Sequence, residues 1–251
     1  MLVIDNTNRY TISRTETENH ENESEEKQMS VNIAIDGPAG AGKSTIAKKL
    51  AAELGYIYVD TGAMYRAMAY YFLENHISSE DEEEITKAVS NVSISIAYED
   101  GVQCVILNGK NVNGMIRKEE VGKMASATSK YPVVRTKLVE LQQQLAKTSD
   151  VIMDGRDIGT VVLPDADVKI YLTASSAVRA KRRYEELREK GESCDLAKIE
   201  QDIIERDYQD MHRETSPLKQ AEDAVLLDSS DCNIEEVVAK MKEIVSAKIA
   251  V

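Results

Sequence analysis

Gly37-Pro38-Ala39-Gly40-Ala41-Gly42-Lys43-Ser44 decides how this chain is read. The stretch fits G-x-x-x-x-G-K-[ST] at every required position, the pattern of a phosphate-binding loop. Its flanks fit as well. Val31-Asn32-Ile33-Ala34-Ile35 is a short β-branched, apolar run that predicts a buried strand. Thr45 to Leu54 carries apolar residues at helical spacing, and Gly55 is placed to end that helix. A polyphosphate needs many donors close together. Glycines let backbone N–H groups turn inward and let phosphate approach with no Cβ in the way. The helix N-terminus adds partial positive charge and further donors. Lys43 is expected to reach the β- and γ-phosphates, and the Ser44 hydroxyl to ligate Mg²⁺. A ligand-free glycine turn has no need of the full pattern between a strand and a helix.

Composition narrows the class. The chain has 251 residues, 42% hydrophobic and 30% charged, which suits a soluble globular protein of one large or two modest domains. No apolar run is long enough to span a bilayer, and no N-terminal segment has the regions of a secretory signal. Cys104, Cys194 and Cys232 are odd in number and far apart, as are His20, His76 and His212. They argue against a disulfide framework and a zinc site, and the cytoplasm is the expected compartment. The net charge of −13 disfavours a nucleic-acid binder. The arginines are nonetheless bunched, at Arg179, Arg182, Arg183 and Arg188 and again at Arg206 and Arg213. Such clusters read either as a focused anion site or as a solvated helix face.

Along the chain, residues 1–28 stand apart. Thr15 to Gln28 is rich in Glu, Asn, Ser and Thr without apolar periodicity, and the whole of residues 1–28 is expected to be a disordered tail. Tyr56 to Val59 predicts a second strand ending at Asp60-Thr61-Gly62, followed by a helix from about Ala63 to Glu74. Residues 77–148 are far too long for a simple crossover. Val92, Ile94 and Ile96 alternate with serines as in a half-buried strand. Asp100-Gly101 predicts a hairpin turn, Val102 to Leu107 its return strand, and Asn108-Gly109 another turn. Helices are expected near Glu119–Thr128 and Val133–Lys147. Strands resume at Asp150–Met153, ending at Asp154, and at Asp167–Leu172. Ser175 or Ser176 is placed to cap a helix to Lys190, and Asp195 a second to about Arg213. Ala224–Asp228 is the last strand, and Ile234 begins the last helix. Strands alternating with helices imply an α/β fold, a parallel sheet covered on both faces with ligands at the carboxyl ends of the strands.

Three clusters fall at those ends. Asp60-Thr61-Gly62-Ala63-Met64-Tyr65-Arg66 offers a hydroxyl, a helix N-terminus and a guanidinium, suited to a second phosphate. Asp154-Gly155-Arg156-Asp157 sets a guanidinium beside carboxylates. Arg179, Arg182 and Arg183 share one helix face, and Arg206, Asp210 and Arg213 another. A helical hairpin with inward arginines suits a lid for phosphoryl transfer.

Together, the phosphate loop through Thr45, the Asp60–Arg66 and Asp154–Val162 stretches, and Glu205-Arg206-Asp207 resemble bacterial cytidylate kinases. The resemblance covers essentially all of residues 30–251. It implies a phosphate-loop kinase core over 29–76 and 149–251, a helical lid at about 174–213, and a mobile nucleoside-monophosphate domain containing the mixed β/α insertion 77–148. It implies ATP-dependent phosphorylation of CMP and dCMP with Mg²⁺. Gly37, Pro38, Ala39, Gly40, Ala41, Gly42, Lys43, Ser44 and Thr45 then bind ATP. Arg66, Arg156 and Arg213 match acceptor-phosphate ligands, and Ser126, Arg135 and Asp157 match residues around the cytosine. Arg206 and Asp210 match ribose contacts. Thr61 stands where many members have Ser, which keeps the hydroxyl. Lys43, Arg156, Arg182 and Arg183 are the expected catalytic residues. Asp154 has two open roles, one near Mg²⁺ and one as a loop anchor. The partners expected are ATP and CMP or dCMP, with no nucleic acid and no membrane, for a monomer. The alternatives are a kinase for another small acceptor, such as shikimate or dephospho-coenzyme A, and a nucleotide switch. The insertion and the Ser126/Arg135 pair count against the first. The absence of Asp-x-x-Gly and Asn-Lys-x-Asp signatures counts against the second.

Overall fold

The computed structural model describes residues 30–99 and 102–249, together with the backbone of 2–4 and 10–12. The composition that predicts disorder lies in Thr15 to Gln28, which is outside the described residues. Ahead of it the sequence is richer in strand formers, and β1 (Leu2–Ile4) pairs antiparallel with β2 (Tyr10–Ile12), Leu2 opposite Ile12. The expectation of an unstructured 1–28 therefore does not extend to these two segments. The ribbon contacts the later strand Ile94–Glu99 through β2, but two short strands add little stability of their own. Removing residues 1–28 is expected to leave Tm and turnover nearly unchanged; a Tm lower by several degrees would contradict this.

The remaining elements, in chain order, are β3 (Asn32–Asp36), α1 (Lys43–Leu54), β4 (Ile57–Asp60), α2 (Thr61–Glu74), α3 (Glu82–Ser90), β5 (Ile94–Glu99), β6 (Val102–Leu107), β7 (Lys110–Asn111), α4 (Glu119–Thr128) and α5 (Pro132–Ala146). Then come β8 (Val151–Gly155), a π-helical turn at Ile158–Val162, β9 (Val168–Thr173), α6 (Ser176–Glu189), α7 (Leu196–His212), β10 (Val225–Asp228) and α8 (Ile234–Lys248). They divide into two compact units, one of Val31–Asp60 with Asp150–Val251 and one of Met1–Ser30 with Thr61–Ser149.

The first of these holds a five-stranded sheet in the order β10-β9-β3-β8-β4, parallel throughout. Strands β3, β4 and β8 and most of β9 are buried on both faces, which is why they read as apolar runs, whereas β10 at the border of the sheet leaves Leu226 exposed. Ile33, Ile35, Ile152, Ile170 and Leu172 pack on one face against Ile46, Ala47 and Leu50 of α1 and Val238 and Met241 of α8. Ala34, Met153 and Val59 are register partners that point to the other face, and all are fully buried. Burying a side chain such as Leu50 is worth about 1.5–3 kcal/mol. The register aligns Asp36 with Gly155 and Tyr171, and Asp60 with Asp154, so these carboxylates lie at one edge. α6 and α7 pack as a helical hairpin. Ser175 caps α6 by accepting from the Val178 N–H at 3.3 Å. Asp195 caps α7 by accepting from Ala197 N–H at 2.8 Å and Lys198 N–H at 3.2 Å.

In the other unit β5 pairs antiparallel with β6, Ile96 opposite Val105, and β6 with β7. The expected turn at Asp100-Gly101 lies outside the described residues. Asn108 and Gly109 have φ of 47° and 81°, as a type I′ turn between β6 and β7 requires. α3, capped by Asp81, is an addition to what the sequence predicts. Sequence reading assigns α2 to the core. In the structure α2 packs against α3, α4, α5 and β6, and it belongs to this unit. Among the described residues no helix is long and apolar enough to cross a membrane.

Candidate active site

The loop between β3 and α1 is shaped by close approach. A Cβ on Gly37, whose φ is 147°, would lie 1.9 Å from the Leu172 carbonyl oxygen, so no larger residue fits there. Gly42 has φ 90° and caps α1 with its backbone carbonyl, which accepts from the Ile46 N–H at 3.1 Å. Lys43 turns back across the loop, and its Nζ donates to the Gly37 and Pro38 carbonyls, each at 2.7 Å. Burial, then the neighbouring Arg156 guanidinium, press the Lys43 ammonium down to about 7, against the pull of Asp154 and Asp36. An ammonium so placed gains its full charge when phosphate oxygens surround it.

Asp154, at the end of β8, accepts from the Ser44 hydroxyl at 2.9 Å and from the Tyr58 hydroxyl at 2.7 Å. Burial, then the Asp60 carboxylate, push its carboxyl up, opposed by Lys43 and by these two hydrogen bonds. Ser44 and Asp154 thus present oxygens side by side, the donor type that a hard divalent cation takes. Mg²⁺ needs only one or two protein oxygens beside phosphate and water, so the set fits it without a larger cluster.

The loop after β8 forms a second constellation. Arg156 Nε donates to Asp210 Oδ2 at 2.9 Å. Arg213 Nη1 lies 3.7 Å from Asp210 Oδ1, its Nη2 lies 3.9 Å from Asp157 Oδ1, and its Nε donates to the Ser216 carbonyl at 2.7 Å. Burial opposes ionisation of Asp210, but Arg156, Arg206 and Arg213 hold its carboxyl below the usual carboxylate range. The structure thus brings Arg156, Asp157, Arg206, Asp210 and Arg213 into one electrostatic group. Fixed guanidinium groups of this kind suit a phosphate monoester, which accepts bidentate bonds.

The arginines of α6 have different partners. Arg179 is the one that touches the phosphate loop, donating to the Ala39 carbonyl at 3.0 Å and gripping Asp207 of α7 with both Nη atoms, at 3.1 and 2.5 Å. Arg182 Nη2 donates to the Ser229 carbonyl at 2.7 Å. Arg183 pairs with Glu186 at 2.9 Å on the exposed side of the helix. Periodicity alone puts all three on one face; the α6–α7 packing selects which of them reaches the loop.

The other unit places Thr61 at the start of α2, with Tyr65 and Arg66 one turn on. The Arg66 guanidinium lies against Gly122 of α4, where a Cβ would stand 3.8 Å from it, an ordinary packing distance. The Arg135 guanidinium is buried, lies 5.4 Å from the centre of the Tyr65 ring and donates to the Ser129 carbonyl at 3.3 Å. Ser129 in turn donates to the carbonyl of Ser126 at 2.9 Å. Thr61, Arg66, Ser126 and Arg135 therefore all stand on α2, α4 and α5 of one unit.

These two sets of residues carry the resemblance noted above, and sequence comparison decides it. The family model described as cytidylate kinase matches residues 33–247. The chain is 54% identical over 218 residues to the cytidylate kinase of Lactobacillus gasseri, covering 87% of this chain and 95% of that one. It is 52% identical over 214 residues to that of Caldicellulosiruptor bescii, covering 85% and 95%. It is 49% identical over 220 residues to that of Bacillus cereus, covering 88% and 98%. The chain belongs to the cytidylate kinase family. In this member of the cytidylate kinase family, sequence reading gave no role of their own to Asp36, Tyr58, Tyr65 and Asp207, although Tyr65 and Asp207 lie in quoted motifs. Asp36 had a readable signal, since it ends an apolar strand directly before the phosphate loop, as Asp60 and Asp154 end theirs. Tyr58, Tyr65 and Asp207 had none, because their partners are distant in sequence.

Proposed function

We propose that the chain is a (d)CMP kinase that transfers the terminal phosphoryl group of ATP to CMP or dCMP. The observation that carries this is an intact phosphate loop sharing a sheet edge with the Arg156–Asp157–Asp210–Arg213 group. The family membership supports the same reading. The residues 37–45 hold the ATP phosphates, and Lys43 follows the β- and γ-phosphates. Ser44 and Asp154 hold Mg²⁺, which when bound neutralises phosphate charge. Arg66, Arg156 and Arg213 hold the acceptor phosphate. One of its oxygens attacks the γ-phosphorus in line, the bond to the β,γ-bridging oxygen breaks, and ADP leaves with CDP or dCDP. Positioning and charge stabilisation by Lys43, Arg156, Arg182 and Arg183 supply the rate. Ser126, Arg135 and Asp157 read the cytosine, Arg206 and Asp210 the ribose, and Thr61 lies on the acceptor side. The chain acts as a cytoplasmic monomer on small nucleotides, its net charge of −13 being unsuited to nucleic acid.

The test is ADP formation from MgATP with and without CMP. Release that depends on CMP is expected; slow release indifferent to CMP would favour a nucleotide switch. Arg66→Ala and Arg213→Ala are expected to raise KM for CMP about 10- to 100-fold, since a hydrogen bond to a charged group is worth about 1.5–3 kcal/mol. KM for ATP should change little. An effect confined to ATP would reassign both arginines to the donor.

A further inference from the structure

Asp36 is a buried carboxylate that, beyond its pull on Lys43, has no role assigned above. It ends β3, where the register fixes it opposite Gly155 of β8 and Tyr171 of β9. Its Oδ1 accepts from the Ile158 N–H and its Oδ2 from the Gly159 N–H, each at 2.7 Å. Those are the first N–H groups of the π-helical turn Ile158–Val162, the donors that a helix start leaves without partners. The residue in the cap position of that turn is Asp157. Its carbonyl accepts from Val161 N–H at 2.9 Å and Val162 N–H at 3.2 Å, yet its side chain makes no capping bond.

That division of labour is unusual in physical terms. Aspartate is among the strongest cap formers, and in the cap position its own carboxylate ordinarily bends back onto the second or third N–H of the turn, here Gly159 or Thr160. Here a carboxylate from another strand has taken the Gly159 N–H, together with that of Ile158 beside it. The Asp157 side chain instead faces Arg213, with Oδ1 3.9 Å from Nη2. The fit is tight on both sides of Asp36. The residue after it, Gly37, has no room for a Cβ beside Leu172, and a Cβ on Gly159 would lie 3.3 Å from Asp36 Oδ2 and 3.1 Å from Lys169 Cδ. Burial pushes the Asp36 carboxyl up to about 6, the two backbone N–H bonds opposing it. A charge is thus held where burial disfavours it.

We propose that Asp36 is a positioning residue for acceptor recognition: by capping the turn in place of Asp157, it keeps the Asp157 carboxylate turned toward the nucleobase. This rests on the reading of Asp157 as a base-contacting residue. Without the Asp36 carboxylate, Asp157 turns back onto the vacated Gly159 N–H, and base recognition is lost while the phosphate loop keeps its own hydrogen bonds.

The test is kcat/KM for CMP and UMP, with KM for ATP, in wild type and in Asp36→Asn. The amide oxygen can accept from one N–H, but its NH₂ opposes the other. KM for CMP is expected to rise about 10- to 100-fold, the scale of a group misplaced by about an ångström. The CMP/UMP ratio should fall by a similar factor, with KM for ATP within about 2-fold. Equal loss toward both acceptors, with the ratio preserved, would show Asp36 to be structural only and overturn the proposal. If Asp36→Asn fails to fold, Gly159→Ala decides, because its Cβ crowds the same contact with Asp36 intact. A lower CMP/UMP ratio there supports the proposal, and an unchanged ratio overturns it. A wild-type enzyme that does not prefer CMP would instead overturn the reading of Asp157 on which the proposal rests.

Discussion

Lys43→Ala is expected to lower kcat by about 10²- to 10³-fold, the loss typical of removing one group that stabilises developing charge. The ammonium already spans the loop it serves, donating to the carbonyls of Gly37 and Pro38. Its environment holds its proton weakly, since burial and then Arg156 press it down to about 7. Phosphate charge offsets both influences, so the cation is strongest in the loaded, reacting state. Removing it takes away an interaction that grows toward the transition state, and kcat falls rather than KM alone. Stability should move little. Two buried carbonyls lose a donor, while the cost of keeping a cation in a buried site disappears. Steady-state kinetics beside circular dichroism checks both halves. Near-normal turnover in the folded variant would contradict the role given to Lys43.

The second large effect is base choice. Cytosine offers a donor at its exocyclic amine and acceptors at N3 and O2. Uracil carries an acceptor at O4 and a donor at N3. A carboxylate only accepts and a guanidinium only donates. If, as proposed, Asp157 takes the amine and Arg135 takes N3 or O2, CMP is matched on both sides. UMP sets O4 against carboxylate oxygens and N3–H against a guanidinium. Both residues are buried, so water does not repair the mismatches. At about 1–3 kcal/mol each, two mismatches amount to about 2–6 kcal/mol, or roughly 30- to 10⁴-fold in kcat/KM. Asp157→Asn should narrow the ratio, because an amide can rotate to donate to O4. An unchanged ratio in that variant would remove Asp157 from base reading.

How much of this was legible in the sequence follows from which contacts are local. The strands around Ile33, Ile152 and Ile170 were legible because burial on both faces leaves them uninterrupted apolar runs. The phosphate loop was legible because its glycines, lysine and serine act within eight consecutive residues. α3 was not, since Glu82-Glu83-Glu84 obscures the apolar face of Ile85, Ala88 and Val89. The turn Ile158–Val162 was not, because the groups satisfying its first N–H donors come from Asp36, far back in the chain. The α6 arginines show the same limit. Spacing put Arg179, Arg182 and Arg183 on one face, but only the pairing with Asp207 and Ala39 singles out Arg179.

The most direct measurement is a competition reaction. MgATP is incubated with this enzyme and equimolar CMP, dCMP, UMP, AMP and shikimate, and the phosphorylated products are separated and counted. The account predicts CDP and dCDP as the dominant products, with UDP lower by at least an order of magnitude and no shikimate phosphate. UDP or ADP formed from the added monophosphates as readily as CDP would contradict it, as would preferential phosphorylation of shikimate.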